Sequence, residues 1–330
     1  MGVSTRLDRI HPTRWLRPLA VASLVGNIAI VITGGVVRLT GSGLGCPTWP
    51  RCTNTSFVPH RALGINGAIE FGNRMVTFLL AAIAIAMFLV ALRSGRRSLV
   101  KLSVVLGLGV PAQAVIGGVT VLTDLNPWVV AFHLLVSLAM IGVAVALLRR
   151  VGEGDGPATP MVPRALVHLA RLTFLVGWAV LYVGTVVTGS GPHAGDLTAP
   201  RNGLDPRSVS QLHTDVVFLL LGLTVGLVFA LRAVAAPRAA QRAARALLAV
   251  ELAQGVVGFV QYFTDLPIVL VAVHLLGAAL TSAGLAWVLV RLRERSEHTG
   301  HTGHERAPLR VDDATSVTPG AARPVTPGRG

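Results

Sequence analysis

Residues 112–139 read AQAVIGGVTVLTDLNPWVVAFHLLVSLA, and residues 253–280 read AQGVVGFVQYFTDLPIVLVAVHLLGAAL. At one offset of 141 residues, Gln113 falls on Gln254, Thr123-Asp124-Leu125 on Thr264-Asp265-Leu266, and His133-Leu134-Leu135 on His274-Leu275-Leu276. Each stretch is two apolar runs joined by the same polar turn, so the chain repeats a pair of helices. The match continues upstream, where Thr40-Gly41-Ser42-Gly43 falls on Thr188-Gly189-Ser190-Gly191 and Phe78-Leu79-Leu80 on Phe218-Leu219-Leu220. The chain therefore reads as two copies of a four-helix unit.

Composition says where those helices sit. Of 330 residues, 52% are hydrophobic and 13% charged, and the mean hydropathy of +0.65 lies outside the range of a soluble domain. Apolar runs long enough for a hydrocarbon core of roughly 30 Å cover residues 17–37, 66–92, 98–122, 127–148, 164–188, 208–231, 243–263 and 267–290. In lipid an unpaired strand leaves its backbone unsatisfied, so these are helices. The expected fold is an all-α integral membrane protein: two tandem four-helix bundles, residues 17–148 and 164–290, with pseudo-twofold symmetry about the membrane normal. An even number of spans per copy gives both copies one orientation, unlike an inverted repeat.

The formal charge of +14 is a topology signal and not a nucleic-acid footprint. Most of the 29 Lys and Arg fall in the N-terminal segment 1–16, the loops after spans two, four (149–163) and six, and the segment 291–330. Both termini are thus expected in the cytoplasm, with the first span retained rather than cleaved. The last segment, rich in Gly, Pro, Thr and charge, reads as a disordered tail. His298, His301 and His304 in it have no supporting shell and are given no function.

Ionisable residues inside membrane spans mark function by default. His133, His213 and His274 all enter from the outer side, at about 10 Å depth by helical rise. Each admits a bland reading, an imidazole hydrogen-bonded within the bundle. Two histidines placed by the repeat on facing helices also suit axial ligation of a haem, whereas a zinc site wants three or four grouped ligands. The halves differ. The second offers the pair His213 and His274. The first offers His133 opposite Asn73, which occupies the slot of His213, with Glu70 one turn away. That arrangement suits chemistry, although Glu70 and Arg74, four residues apart, also read as a simple ion pair. Gln113 and Gln254 are expected to bond between helices. His60, His168 and His193 are expected to be interfacial, and Arg38, Arg51, Arg61 and Arg74 either to meet propionates or to snorkel.

The first outer loop holds the only cysteines, Cys46 and Cys52. It faces an oxidising compartment, so a disulfide is expected, serving either as a redox couple or as a clamp on the loop.

In order, VVRLTGSGLGCPTWPRC, IEFGNR, FHLLVS, VTGSGPHAGD, QLH and VHLLGA resemble haem A synthase over about residues 17–290. The resemblance implies oxidation of the C8 methyl of haem O to a formyl group through successive hydroxylations, for the terminal cytochrome oxidase. It implies haem b on His213 and His274 as cofactor and haem O as substrate near His133 and Asn73, with Glu70 catalytic and Cys46 and Cys52 the outer-loop pair. The family's fourth histidine is Asn73 here. Implied partners are haem O synthase, oxidase assembly factors, an electron donor and the bilayer, in a plasma-membrane setting. The competing reading is a di-haem b cytochrome exchanging electrons with quinone without modifying haem.

Overall fold

The computed structural model describes residues 13–296. The expected N-terminal segment up to residue 12 and the tail with its three histidines lie outside the described residues. Eight helices run in chain order: α1 Thr13–Leu39, α2 Gly64–Arg93, α3 Arg97–Leu122, α4 Pro127–Val151, α5 Arg164–Ser190, α6 Pro206–Ala233, α7 Arg238–Phe263 and α8 Ile268–Arg291. All eight are long and apolar enough to cross a membrane, which makes this a multi-pass membrane protein. Phe78, Leu108, Leu175 and Phe229 are each about two-thirds exposed and form part of the apolar outer surface that lipid requires.

Consecutive helices pack antiparallel, and each run of four closes on itself: α1 against α4 in the first, α5 against α8 in the second. The two runs meet where α4 and α1 pack on α8 and α4 on α5. Val31, Leu138, Ile141, Leu181 and Ala279 form the apolar seam there. The Ser282 hydroxyl crosses it to donate to the Leu138 carbonyl at 2.7 Å, fully buried. Lipid removes the hydrophobic drive between helices, so close approach over small residues holds them together. A Cβ on Gly35 would overlap Leu275, and one on Gly177 would overlap Leu285.

The repeated Thr-Asp-Leu is the turn that reverses α3 into α4 and α7 into α8. Asp124 and Leu125 have φ of 50° and 58°, and Asp265 and Leu266 have 58° and 57°. In both, the leucine amide donates back to the helix, Leu125 to Thr120 and Leu266 to Gln261, each at 2.8 Å. This is a left-handed helix stop that satisfies carbonyls otherwise orphaned in an apolar setting. Helix starts are equally legible. Asn126 caps α4 and Asp205 caps α6, each followed by proline at the first helical position. Hydrogen bonds from Ser208 hold the Asp205 carboxyl below the usual carboxylate range, so the cap is ionised at neutral pH.

Two details depart from the sequence expectation. Helices such as α1 and α6 run past their apolar spans, because hydropathy marks the lipid-facing part and not the hydrogen-bonded ends. Residues 158–160 and 293–295 pair as a short antiparallel ladder, β1 with β2. The segment expected to be tail from residue 291 therefore begins with the end of α8 and a paired strand.

Candidate functional site

The three intramembrane histidines share one local design. Each sits on an even-numbered helix and lays its ring against a glycine of the preceding helix. A Cβ on Gly117 would lie 3.3 Å from His133 Cε1, one on Gly184 3.1 Å from His213 Cε1, and one on Gly258 3.5 Å from His274 Cε1. The missing side chain gives the imidazole its room. In all three rings Nδ1 is buried and has no hydrogen-bond partner. A buried polar nitrogen left unpaired costs on the order of 1–3 kcal/mol, so three repetitions at equivalent depths point to a role outside the protein's own hydrogen bonding.

The glutamines hold the backbone under two of these rings. Gln113 Nε2 donates to the His133 carbonyl at 3.2 Å and also meets Ser137, while Gln254 Nε2 donates to the His274 carbonyl at 2.8 Å. Both bonds run from an odd to an even helix, as their matched positions suggested.

The halves then diverge. The second half carries two of these histidines, His213 on α6 and His274 on α8, whereas the first carries His133 on α4 alone. Asn73 is turned away into a bond of its own, its Oδ1 accepting from the Thr33 hydroxyl at 2.7 Å. The second half thus has two histidines of this design and the first has one. Among the described residues no three His, Cys, Asp or Glu side chains group as for a bare metal ion. Buried imidazoles with Nδ1 unpartnered, each given room by a glycine between apolar helices, fit a haem.

Glu70 is 5% exposed and fully engaged. One oxygen accepts from the Cys46 amide at 2.6 Å and the other meets Arg74 at 2.6 Å. Arg74 in turn donates to the carbonyls of Cys46, Thr48 and Arg51. The carboxylate and the guanidinium together grip the loop closed by the Cys46–Cys52 disulfide, whose residues are wholly buried. From that loop Trp49 inserts onto Gly118, the residue beside the glycine under His133. Gly118 tolerates the indole only because it has no Cβ. This contact had no sequence signal, since it depends on how the loop folds back over α3.

The remaining candidates either bond to backbone carbonyls or stand exposed. Arg38 donates to the carbonyls of His193 (2.6 Å) and Thr188 (2.9 Å), and His193 Nε2 pairs with the Leu266 carbonyl at 2.9 Å. His60, His168, Arg51 and Arg61 are exposed. A buried intramembrane carboxyl escaped the sequence reading: Glu251, midway along α7, has Oε1 accepting from Thr224 at 2.9 Å and Oε2 unpartnered. A glutamate in an apolar run was its available signal.

The family described as cytochrome oxidase assembly protein matches residues 17–200. A heme A synthase from Lysinibacillus sphaericus is 34% identical over 145 residues, 43% of this chain and 47% of that protein. A heme A synthase from Alkalihalophilus pseudofirmus is 29% identical over 181 residues, 53% and 60% of the two chains. A protoheme IX farnesyltransferase from Haloarcula marismortui is 30% identical over 153 residues, 45% and 32%. The matches span about a third to three-fifths of the length of these curated relatives.

Proposed function

The chain belongs to the cytochrome oxidase assembly protein family, and from that premise we propose that it is a haem A synthase. Its reaction is oxidation of the C8 methyl of haem O to a formyl group by successive hydroxylations, in the path to the terminal oxidase. The observation that carries this reading is the set of three imidazoles, each resting on a glycine with Nδ1 buried and unpartnered, two in the second half and one in the first.

In this proposal His213 and His274 hold haem b, which supplies electron transfer when bound. With both imidazoles given to it, such a haem would be suited to passing electrons rather than binding a reactant. His133 orients the haem O substrate in residues 17–148, and Asn73, held by Thr33, leaves the opposite side without a strong ligand. Glu70 serves that half by fixing the disulfide loop over it, and Trp49 excludes water beside His133. The disulfide end faces outward at the plasma membrane and both termini face the cytoplasm, since the arginine-rich connections lie at the other end. Two bundles, residues 17–148 for substrate and 164–290 for cofactor, divide the work. Haem O synthase as supplier, oxidase assembly factors as recipients and a separate electron donor complete the setting.

The test is haem extraction from cells expressing this chain together with a haem O synthase. Haem A is the expected product. Accumulation of haem O alone, with the protein folded and haem-loaded, sinks the proposal and favours the di-haem cytochrome.

A further inference from the structure

We propose that Glu251 is the proton-exchanging group of the His213–His274 site, taking up one proton when one electron enters that site and releasing it when the electron leaves. The inference rests on the haem-binding reading above and concerns a residue that reading does not use.

Placement comes first. Glu251 and Gly258 are seven residues apart on α7, roughly 10 Å along the axis and nearly in line on one face. Gly258 is the glycine under His274. Between them Gln254 holds the His274 carbonyl at 2.8 Å. Glu251 therefore looks into the same half from the same helix face as the groups that seat His274.

The carboxyl is also incompletely satisfied. Thr224 donates to Oε1 at 2.9 Å, and Oε2 is buried without a partner. Helices α6 and α8 pack against α7. Of their titratable groups only His213 and His274 face inward; Asp215 is exposed, and Arg207, Arg232 and Arg291 stand at helix ends. On α7 itself Arg238, Arg242, Arg245 and Tyr262 are exposed. Among the described residues no charged side chain forms an ion pair with Glu251. A carboxylate at membrane depth needs a cation nearby or a proton of its own. A ferric haem between two neutral imidazoles carries one positive charge on its core, and its ferrous form carries none. Glu251 is ionised opposite the first and protonated opposite the second, so one electron arriving from a one-electron donor and one proton arriving from water leave the local charge unchanged.

The repeat provides an internal control. The positions equivalent to Thr224 and Glu251 in the first half are Ala84 and Val110, both buried in one apolar cluster. The four-helix unit packs without a polar pair there. The pair occurs in the half that carries both His213 and His274, which assigns it to the site rather than to the fold.

The test uses full-length protein purified in detergent, loaded with haem b and reduced with dithionite. Wild type is compared with Glu251→Gln and with the double variant Thr224→Ala, Glu251→Val, which copies the packing of the first half. Two quantities are read: the carboxyl C=O band in the reduced-minus-oxidised infrared spectrum, and the pH dependence of the midpoint potential. In wild type a band appears on reduction and the potential falls as pH rises; in both variants the band is lost and the potential becomes flat. Absence of the band in wild type, or persistence of band and slope in the variants, overturns the assignment. A low-spin spectrum unchanged by His213→Ala and His274→Ala defeats the haem-binding reading instead, which separates the two failures.

Discussion

Glu70 shows how a single side chain changes meaning once its bonds are known. The sequence offered two readings, a carboxylate for chemistry and half of an ion pair with Arg74. The pair exists at 2.6 Å, yet its larger effect is on the loop, because the second oxygen holds the Cys46 amide. Hydrogen bonds to charged groups contribute about 1.5–3 kcal/mol. Glu70→Gln is therefore expected to expose the buried disulfide and speed its reduction by a small thiol about tenfold or more, measured by thiol labelling. Unchanged labelling returns Glu70 to a role away from the loop. The histidines were legible because an ionisable residue in an apolar run is conspicuous, and the repeat told which of them correspond. Glu251 was as visible, but its twin Val110 is apolar, so comparison between copies passed over it. Thr224 and Trp49 were beyond reach, because their partners depend on helix register and loop path.

At the level of elements, glycine spacing sets where each imidazole sits. The α5–α6 approach is the tightest of the three, since a Cβ at Gly184 falls 3.1 Å from the His213 ring, against 3.5 Å for Gly258 and His274. Overpacking costs about 1–3 kcal/mol. Gly184→Ala is accordingly expected to weaken haem b binding roughly tenfold, while Gly258→Ala leaves it nearly unchanged; titration of apoprotein with haem, followed by the low-spin absorbance, measures both. Equal effects would falsify the link between helix approach and ring placement. Helices and their turns were readable because apolar length, caps and the Thr-Asp-Leu stop are local signals. The β1–β2 ladder was not, since three residues paired across the whole second half carry no periodicity.

For the whole molecule, the disulfide end adds polar ties between the first and second halves to the buried seam of α1, α4 and α8. Arg38 reaches from the end of α1 to the Thr188 carbonyl in the last turn of α5 and the His193 carbonyl just after it, Gly43 donates to the Gly195 carbonyl at 2.8 Å, and His193 reaches the α7–α8 turn. Arg38→Ala removes two charged hydrogen bonds and is expected to lower the unfolding temperature by at least about 5 °C, with one transition for both halves in a detergent melt. Two separated transitions, or no shift, rule out the clasp. The same tie has a consequence for biogenesis. The acceptors of Arg38 are made some 150 residues after it, and the acceptor of His193 later still. Until those carbonyls are made, the Arg38 guanidinium of a nascent first half has neither acceptor. A ribosome stalled before residue 188 is therefore expected to leave that half more readily extracted or degraded than the same half in the finished chain.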